Sequence, residues 1–169
     1  MADNSNYALP FQRRREQKTN YKQRLKLLKS GKPRLVVRTS NNHTQVHISE
    51  YADDGDQNTS QTLSKELEEY GWENHTGNLP AAYLTGFLAA KKAEVDEAIL
   101  DTGLKEKNKG GRMFAAVQGA KDAGLEVPVG EKMVPSEGRL RGEHIEEITG
   151  ENVTDNFENV KEEIEGEFK

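Results

Sequence analysis

The distribution of charge limits which part of this chain can form a hydrophobic core. Eleven of its 24 Lys and Arg residues lie in the first 38 positions, beside only Asp3 and Glu16, so this segment carries a net charge of +9. The rest of the chain then carries −14 within an overall charge of −5. We expect the basic segment to lie on the surface of a body formed by later residues, and to bind a polyanion such as nucleic acid. The alternative is a solvated, disordered basic tail.

Length and composition fit one domain with extensions. The chain has 169 residues, of which 33% are apolar and 31% are charged. We find no apolar run of the roughly 20 residues that a membrane helix needs, and Met1 to Phe11 lacks the apolar stretch of a signal peptide. The absence of Cys excludes disulfides and thiolate metal sites. We therefore expect an intracellular protein.

The basic segment contains one clear helix pattern. Residues 1–12 indicate an extended arm. Asn20 and Gln23 have the spacing of an N-cap and the third helical residue, and apolar residues follow at helical intervals. The helix should stop near Ser30, because Gly31 favours a left-handed cap and Pro33 cannot continue the hydrogen-bond ladder.

Patterns beyond Pro33 predict an α/β body, a mixed sheet covered by helices. Residues 34–38, 44–48 and 57–63 predict a short antiparallel meander. The first run holds Leu35, Val36 and Val37, Val46 and Ile48 alternate with polar residues in the second, and turn signals separate the runs. Pro80 then starts a helix with small residues that permit close packing. A short strand at 98–100 and a helix closed by Gly124 follow, and this order favours a sheet with helices against it.

We divide the chain into residues 1–33, a basic arm and helix; 34–135, the α/β core; and 136–169, an acidic helical extension. The last segment predicts helices near 139–148 and 154–166. Residues 143–169 hold ten acidic side chains against two Lys. They are either a solvated helix face or a docking surface for a basic partner. The final helix has an apolar stripe, for which packing on its own body and packing on a neighbour both remain open. The stripe is Val153, Phe157, Val160, Ile164 and Phe168.

Catalytic and metal-binding patterns are weak. The chain lacks a nucleophile elbow, a phosphate-binding P-loop and a dinucleotide fingerprint. His43 and His47 lie four residues apart in a turn and strand, where that spacing does not make a helical metal clamp. Asp101 ends a buried strand, a position that α/β enzymes use for a carboxylate, but it has no identified partners.

Two turns carry side chains suited to RNA. Residues 40–43 follow Arg38, and residues 105–112 combine three Lys and one Arg with Gly110 and Gly111. Arg pairs with phosphate oxygens in a forked geometry, and Ser, Asn and His reach phosphate or base edges. We expect the two glycines to let backbone N–H groups approach phosphate.

The order of several motifs resembles a known family. These are RRREQKTNY from Arg13, KPRLVVRTSNNH from Lys32, YGW from Tyr70, GNLPAAYLTG from Gly77, LDTGL from Leu100 and RGEHI from Arg141. Together they resemble the large-subunit ribosomal proteins of universal family eighteen, in the archaeal form, over roughly residues 10–148.

The resemblance implies an α/β domain of the kind seen in ribonuclease H-like proteins and other components of the translation machinery, without catalysis or cofactor. It implies a cytoplasmic, ribosomal protein that binds 5S rRNA and anchors it to large-subunit rRNA in the central protuberance, next to other large-subunit proteins. The RNA-binding residues would be Arg13, Arg14, Arg15, Lys18, Tyr21, Arg24, Arg34, Arg38, Ser40, Asn41, Asn42, His43, Lys109 and Arg112.

Two other functions remain open at this point. The first is a ribonuclease H-like nuclease, which would hold metal ions with clustered carboxylates and use the basic arm to bind its substrate. The predicted strands offer essentially Glu50 and Asp101 for that purpose. The second is a general single-strand binder, which needs exposed aromatic side chains for base stacking. The chain has one Trp and few clustered Phe or Tyr residues.

Overall fold

A computed structural model of the chain describes residues 8–168. The helices are α1 (Gln12–Arg15), α2 (Tyr21–Leu28), α3 (Leu79–Lys92), α4 (Arg112–Asp122), α5 (Glu137–Arg141), α6 (Glu143–Thr149) and α7 (Val153–Glu167). The strands are β1 (Arg34–Thr39), β2 (Thr44–Glu50), β3 (Gln57–Leu63) and β4 (Ile99–Asp101). Two 3₁₀ helices span Ser64–Tyr70 and Glu131–Met133. No helix among residues 8–168 is both long enough and apolar enough to cross a membrane.

The four strands form one mixed sheet in the order β3-β2-β1-β4. β1 and β2 are antiparallel, with Leu35 opposite Ile48 and Val37 opposite Val46. β4 runs parallel to β1 on its other side, with Leu35 opposite Leu100. The predicted meander and the predicted α/β class with a mixed sheet are therefore confirmed.

Helices α3 and α4 cover one face of this sheet. Leu35, Val37, Val46 and Ile48 are completely buried against apolar residues of these helices. The two helices approach each other closely because glycines face the crossing. A β-carbon at Gly86 would overlap the backbone carbonyl of Ala116. The prediction that small residues permit close packing is confirmed.

The apolar stripe of α7 packs on the outer side of α3. Val153, Phe157, Val160 and Ile164 are 0–3% exposed, and Phe168 packs against the same cluster. The ring of Phe157 lies 5.3 Å from that of Tyr83, measured between centroids. The stripe is therefore covered by the body of the protein, and the carboxylates of α7 lie on its outer side.

Two sequence predictions differ from the structure, and one element was missed. The arm predicted over residues 1–12 ends earlier, because Gln12 already begins α1. Residues 1–7 of that arm lie outside the described residues. The single helix expected at 139–148 is two helices, because Gly142 takes a left-handed φ of +94° between them. The 3₁₀ helix after β3 was not predicted from the sequence.

Truncation of Phe157 should loosen the C-terminal segment. Phe157→Ala removes a ring that is 3% exposed, and such changes cost about 3–5 kcal/mol of unfolding free energy. Urea denaturation of the full chain measures this loss. Glu162→Ala changes an exposed side chain of the same helix and should alter the unfolding free energy by less than about 0.5 kcal/mol. Equal effects of the two substitutions would contradict the packing described for α7.

Candidate nucleic-acid interface

The second face of the sheet carries polar and charged side chains. Side chains alternate between the two faces along a strand. Because Leu35 and Val37 point to the core, Arg34 and Arg38 lie on the opposite face. Helix α2 and the turn before it lie along this face, and a cleft of about 390 Å³ separates them from the strands. Its charged or titratable lining is Arg13, Lys18, Arg24, Arg34, Arg38, His47, Asp56 and Asp101.

Helix α2 is attached to both edges of the sheet. The Asn20 side chain accepts a hydrogen bond from the Gln23 backbone N–H at 3.2 Å, so the predicted N-cap is confirmed. Gln23 donates to Thr102, just after β4, at 3.3 Å. Arg24 donates two hydrogen bonds, at 2.9 and 2.8 Å, to Asp56, just before β3. Helix α2 is therefore a fixed basic layer over the open face.

Arg34 lies at the centre of this face and is 3% exposed. Its guanidinium lies 3.1 Å from an oxygen of Asp101 and 2.5 Å from an oxygen of Asp56. In this conformation the guanidinium is covered and paired with two carboxylates, so burial makes this cation a part of the sheet. A direct contact of Arg34 with RNA stays a prediction.

Arg38 is fixed by the same carboxylate but remains accessible. It donates to the backbone carbonyl of Asp101 at 2.8 Å, and a second nitrogen lies 3.4 Å from an Asp101 carboxylate oxygen. Its side chain is 40% exposed. Asp101 also accepts the backbone N–H of Gly103 at 2.8 Å. The packing leaves little room there, since a β-carbon at Gly103 would lie 2.9 Å from the Arg38 guanidinium carbon.

Two titratable groups in the cleft respond to these cations. The hydrogen bonds from Arg24, followed by that from Arg34, hold the pKa of Asp56 below its usual value. Burial, and then the charges of Arg38 and Arg34, lower the pKa of His47. His47 is therefore neutral at pH 7, and the positive charge of the cleft comes from Arg and Lys.

The turn between β1 and β2 is held by its own side chains. Ser40 accepts the His43 backbone N–H and donates to the His43 carbonyl, both at 3.0 Å. The ring Nδ1 of His43 lies 3.0 Å from the hydroxyl of Thr76. Ser40 and His43 thus shape the turn, and the exposed residues Asn41 and Asn42 form its tip.

Arg112 connects this turn to the core helices. One guanidinium nitrogen donates to the carbonyls of Ser40 and Gly77, each at 2.7 Å. A β-carbon at Gly77 would overlap the carbonyl of Asn41, so the turn and the segment before α3 touch directly. The geometry assigns Arg112 a positioning role here, and its contact with RNA stays a prediction.

The remaining predicted residues are mostly exposed. Arg14, Arg15, Lys18 and Lys109 are exposed. Arg13 is also exposed and donates through Nε to Thr19 at 2.9 Å. They form the cationic outer surface of the basic segment and of the 105–112 loop.

One expectation about the 105–112 loop is wrong. Gly110 donates its backbone N–H to Met133 at 2.9 Å, and Gly111 donates its own to Asn108 at 3.2 Å. Both groups are engaged within the protein, so they do not approach phosphate in this conformation. The loop offers Lys side chains instead.

The structure brings together residues that are far apart in sequence. Helix α2, β1 and the β1–β2 turn share one side of the molecule with Arg112. Sequence reasoning missed Asp56, which pairs with Arg24 and Arg34. It singled out Asp101 as a possible catalytic carboxylate, and the structure places that carboxylate against Arg34 and Arg38. Among residues 8–168, no three His, Asp or Glu side chains come together as a metal site.

Comparison with known proteins gives consistent matches. A family model described as ribosomal large subunit proteins 60S L5 and 50S L18 matches residues 5–97. The large ribosomal subunit protein uL18 of Natronomonas pharaonis is 45% identical over 184 aligned positions, covering 99% of this chain and all of the relative. The proteins of the same name from Methanobrevibacter smithii and Korarchaeum cryptofilum are each 51% identical. They cover 86% of this chain and 77% and 76% of the relatives.

Neutralising Asp101 should destabilise the sheet. Asp101→Asn keeps the size of the side chain but leaves the buried Arg34 with one carboxylate, and removing a buried partner costs about 3 kcal/mol or more. Urea denaturation measures the change. Asp53→Asn, an exposed residue of the β2–β3 turn, is the matched control with an expected change within about 0.5 kcal/mol. A loss below about 1 kcal/mol for Asp101→Asn would refute the proposed dependence on this pair.

The contribution of Asp56 should depend on pH. The pKa of the Asp56 carboxyl is lower in the folded protein than in the unfolded chain, where it is about 4. The ionised carboxylate therefore stabilises the fold above about pH 4. This stabilisation is lost as the pH falls through the pKa of Asp56 in the folded protein. Asp56→Asn should therefore unfold at a lower urea concentration than the unsubstituted protein at pH 7, with the gap closing towards pH 3. If the two proteins differed in urea midpoint by the same amount at pH 7 and at pH 3, the loss of stability would come from the changed shape of the side chain and not from its charge.

Proposed function

Since the chain belongs to the family of large-subunit ribosomal proteins 60S L5 and 50S L18, we propose that it binds 5S rRNA. We further propose that it anchors this RNA to the large-subunit rRNA in the central protuberance. The observation that carries the proposal is the layer of basic residues fixed over the open face of the sheet. Residues 1–33 would supply most of the RNA contacts, and the β1–β2 turn would supply the remainder.

The fixed position of this layer supports specific RNA binding. A mobile cationic tail attracts any polyanion, whereas cations held in one arrangement favour a matching arrangement of phosphates. Arg24 is held by Asp56 and Arg38 by Asp101, while the exposed Arg13 and Lys18 line the same cleft. The cleft can therefore present both ordered guanidinium groups and accessible cations to one RNA surface.

The placement of the acidic residues supports a two-sided role. The sheet and the layer of α3 and α4 separate the basic cleft from α7, whose carboxylates face outward. RNA phosphates would be repelled by those carboxylates. We infer that the basic side meets RNA, and that the acidic side faces neighbouring large-subunit proteins.

The nuclease alternative receives no support from the site. A nuclease of that kind needs strand carboxylates to hold its metal ions, and Asp101 was the main candidate. Its oxygens accept hydrogen bonds from Arg34, Arg38 and the Gly103 backbone N–H. We infer that Asp101 organises the interface and that the protein acts as a structural constituent of the ribosome.

Removal of two exposed cations should weaken 5S rRNA binding and reduce its salt dependence. Eliminating one ion pair with a phosphate lowers the log–log salt slope by about 0.7–0.9, so Arg14→Gln with Arg15→Gln should lower it by about 1.5. The affinity should fall at least about tenfold, since hydrogen bonds to charged groups contribute about 1.5–3 kcal/mol each. Filter binding over a salt series measures both quantities.

A charge-matched control uses two Lys residues on the side of α7. Lys91 lies over the ring of Phe87 on α3, and Lys121 is exposed near the end of α4. Lys91→Gln with Lys121→Gln should leave the salt slope nearly unchanged. Equal losses in the two double variants would indicate diffuse electrostatics, and equal affinity for a scrambled RNA of the same length would argue against 5S recognition.

A further inference from the structure

An exposed aromatic side chain lies within the basic segment. Phe11, directly before α1, is 73% exposed. Its ring meets that of Tyr21 with centroids 5.3 Å apart and planes inclined by 60°, an edge contact. Most of the Phe11 ring therefore remains open to solvent while one side is supported by Tyr21. Covering such an apolar ring with another group is favourable in water.

The backbone holds this aromatic pair in place. The carbonyl of Phe11 accepts the backbone N–H groups of Arg14 and Arg15 at 3.0 and 3.1 Å, which ties Phe11 to α1. The chain then reverses at Gln17, whose φ of +53° is unusual for a residue other than glycine. This reversal brings Tyr21, at the start of α2, back against Phe11. Strain at such a reversal is typical of sites where a binding surface must be shaped.

Two cations lie on the Tyr21 side of the pair. A hollow of about 570 Å³ borders Tyr21 and is lined by Arg14, Gln17, Thr19, Asn20, Tyr21, Lys22 and Leu104. This lining has two cations, several hydrogen-bonding groups and no carboxylate. A ligand that matches it has a flat, apolar face beside a negative charge. An unstacked nucleotide has both features, because its base presents a π face and its phosphate an anion.

We propose that Phe11 and Tyr21 form a stacking platform for one unpaired RNA base, with Arg14 and Lys22 binding the adjacent phosphates. This inference rests on the proposed function. It adds a base-stacking contact to an interface whose other proposed contacts are mainly ionic. Phe11 supplies most of the open ring surface, and Tyr21 packs against it. An apolar segment of a protein neighbour would find less complementarity in a hollow bordered by two cations.

Three substitutions at Phe11 test the platform in the full chain with 5S rRNA. Phe11→Ala should weaken binding about 5- to 150-fold, the range for loss of one stacked base. Its salt slope should stay unchanged, because every cation that pairs with phosphate is still present. Phe11→Trp should retain the affinity, since it keeps an aromatic face. Phe11→Leu should behave like the Ala variant, because it keeps the apolar volume without the π face.

Leu9→Ala is the matched control. Leu9 is 65% exposed and lies two residues before Phe11, so its loss should change the affinity less than twofold. Wild-type affinity in Phe11→Leu would identify a general apolar contact and overturn the proposal. Equal losses of affinity in Leu9→Ala and Phe11→Ala would do the same. Wild-type affinity in Phe11→Ala would also overturn it.

A fluorescence arm separates this inference from the proposed function. The native Trp72 is 3% exposed, so the Trp in Phe11→Trp gives the solvent-exposed signal. Single-stranded oligoadenylate should quench the fluorescence of this Trp whether or not the wild-type protein binds 5S rRNA. Failure of the wild-type protein to bind 5S rRNA would count against the proposed function alone. The Tyr21→Leu substitution in the same background should reduce the quenching. Absence of quenching by oligoadenylate would overturn the platform.

Discussion

The buried guanidinium of Arg34 is the centre on which the open face of the sheet depends. It lies on β1 and pairs with Asp101 at the end of β4 and with Asp56 before β3. A buried cation without partners would cost several kcal/mol, so both carboxylates must stay in place. Asp56 in turn holds Arg24 of α2, and Asp101 holds Arg38. One buried charge therefore links the two edges of the sheet to the helix that covers it.

This arrangement gives the molecule two chemically different sides. On one side, α2 presents cations over the sheet, and the polar β1–β2 turn shares that side. On the other, α3 and α4 cover the sheet, and α7 packs its apolar stripe on α3 with its carboxylates outward. A net charge of −5 hides this separation. Because the two signs of charge are kept apart, the basic side can attract RNA at a distance from the carboxylates that would repel it.

The sequence predicted features that depend on neighbouring residues. The Asn20 cap, the end of α2 near Gly31 and the alternation along β2 all follow from local patterns, and the structure confirms them. The burial of Arg34 was not predictable, because it depends on Asp101, which lies 67 positions later in the chain. The break at Gly142 was missed because helical periodicity continues through it. Phe11 was passed over for a related reason, since its aromatic partner Tyr21 comes into contact only through the reversal at Gln17.

Hydrogen exchange of the full chain, measured by mass spectrometry with and without 5S rRNA, tests the two-sided account most directly. The account predicts that RNA slows exchange in residues 12–28 and in the β1–β2 turn. Exchange in α7 should be slow before RNA is added, because the helix is packed on α3, and should not change on binding. Added protection in α7 with none in residues 12–28 would contradict the assignment of the basic side to RNA.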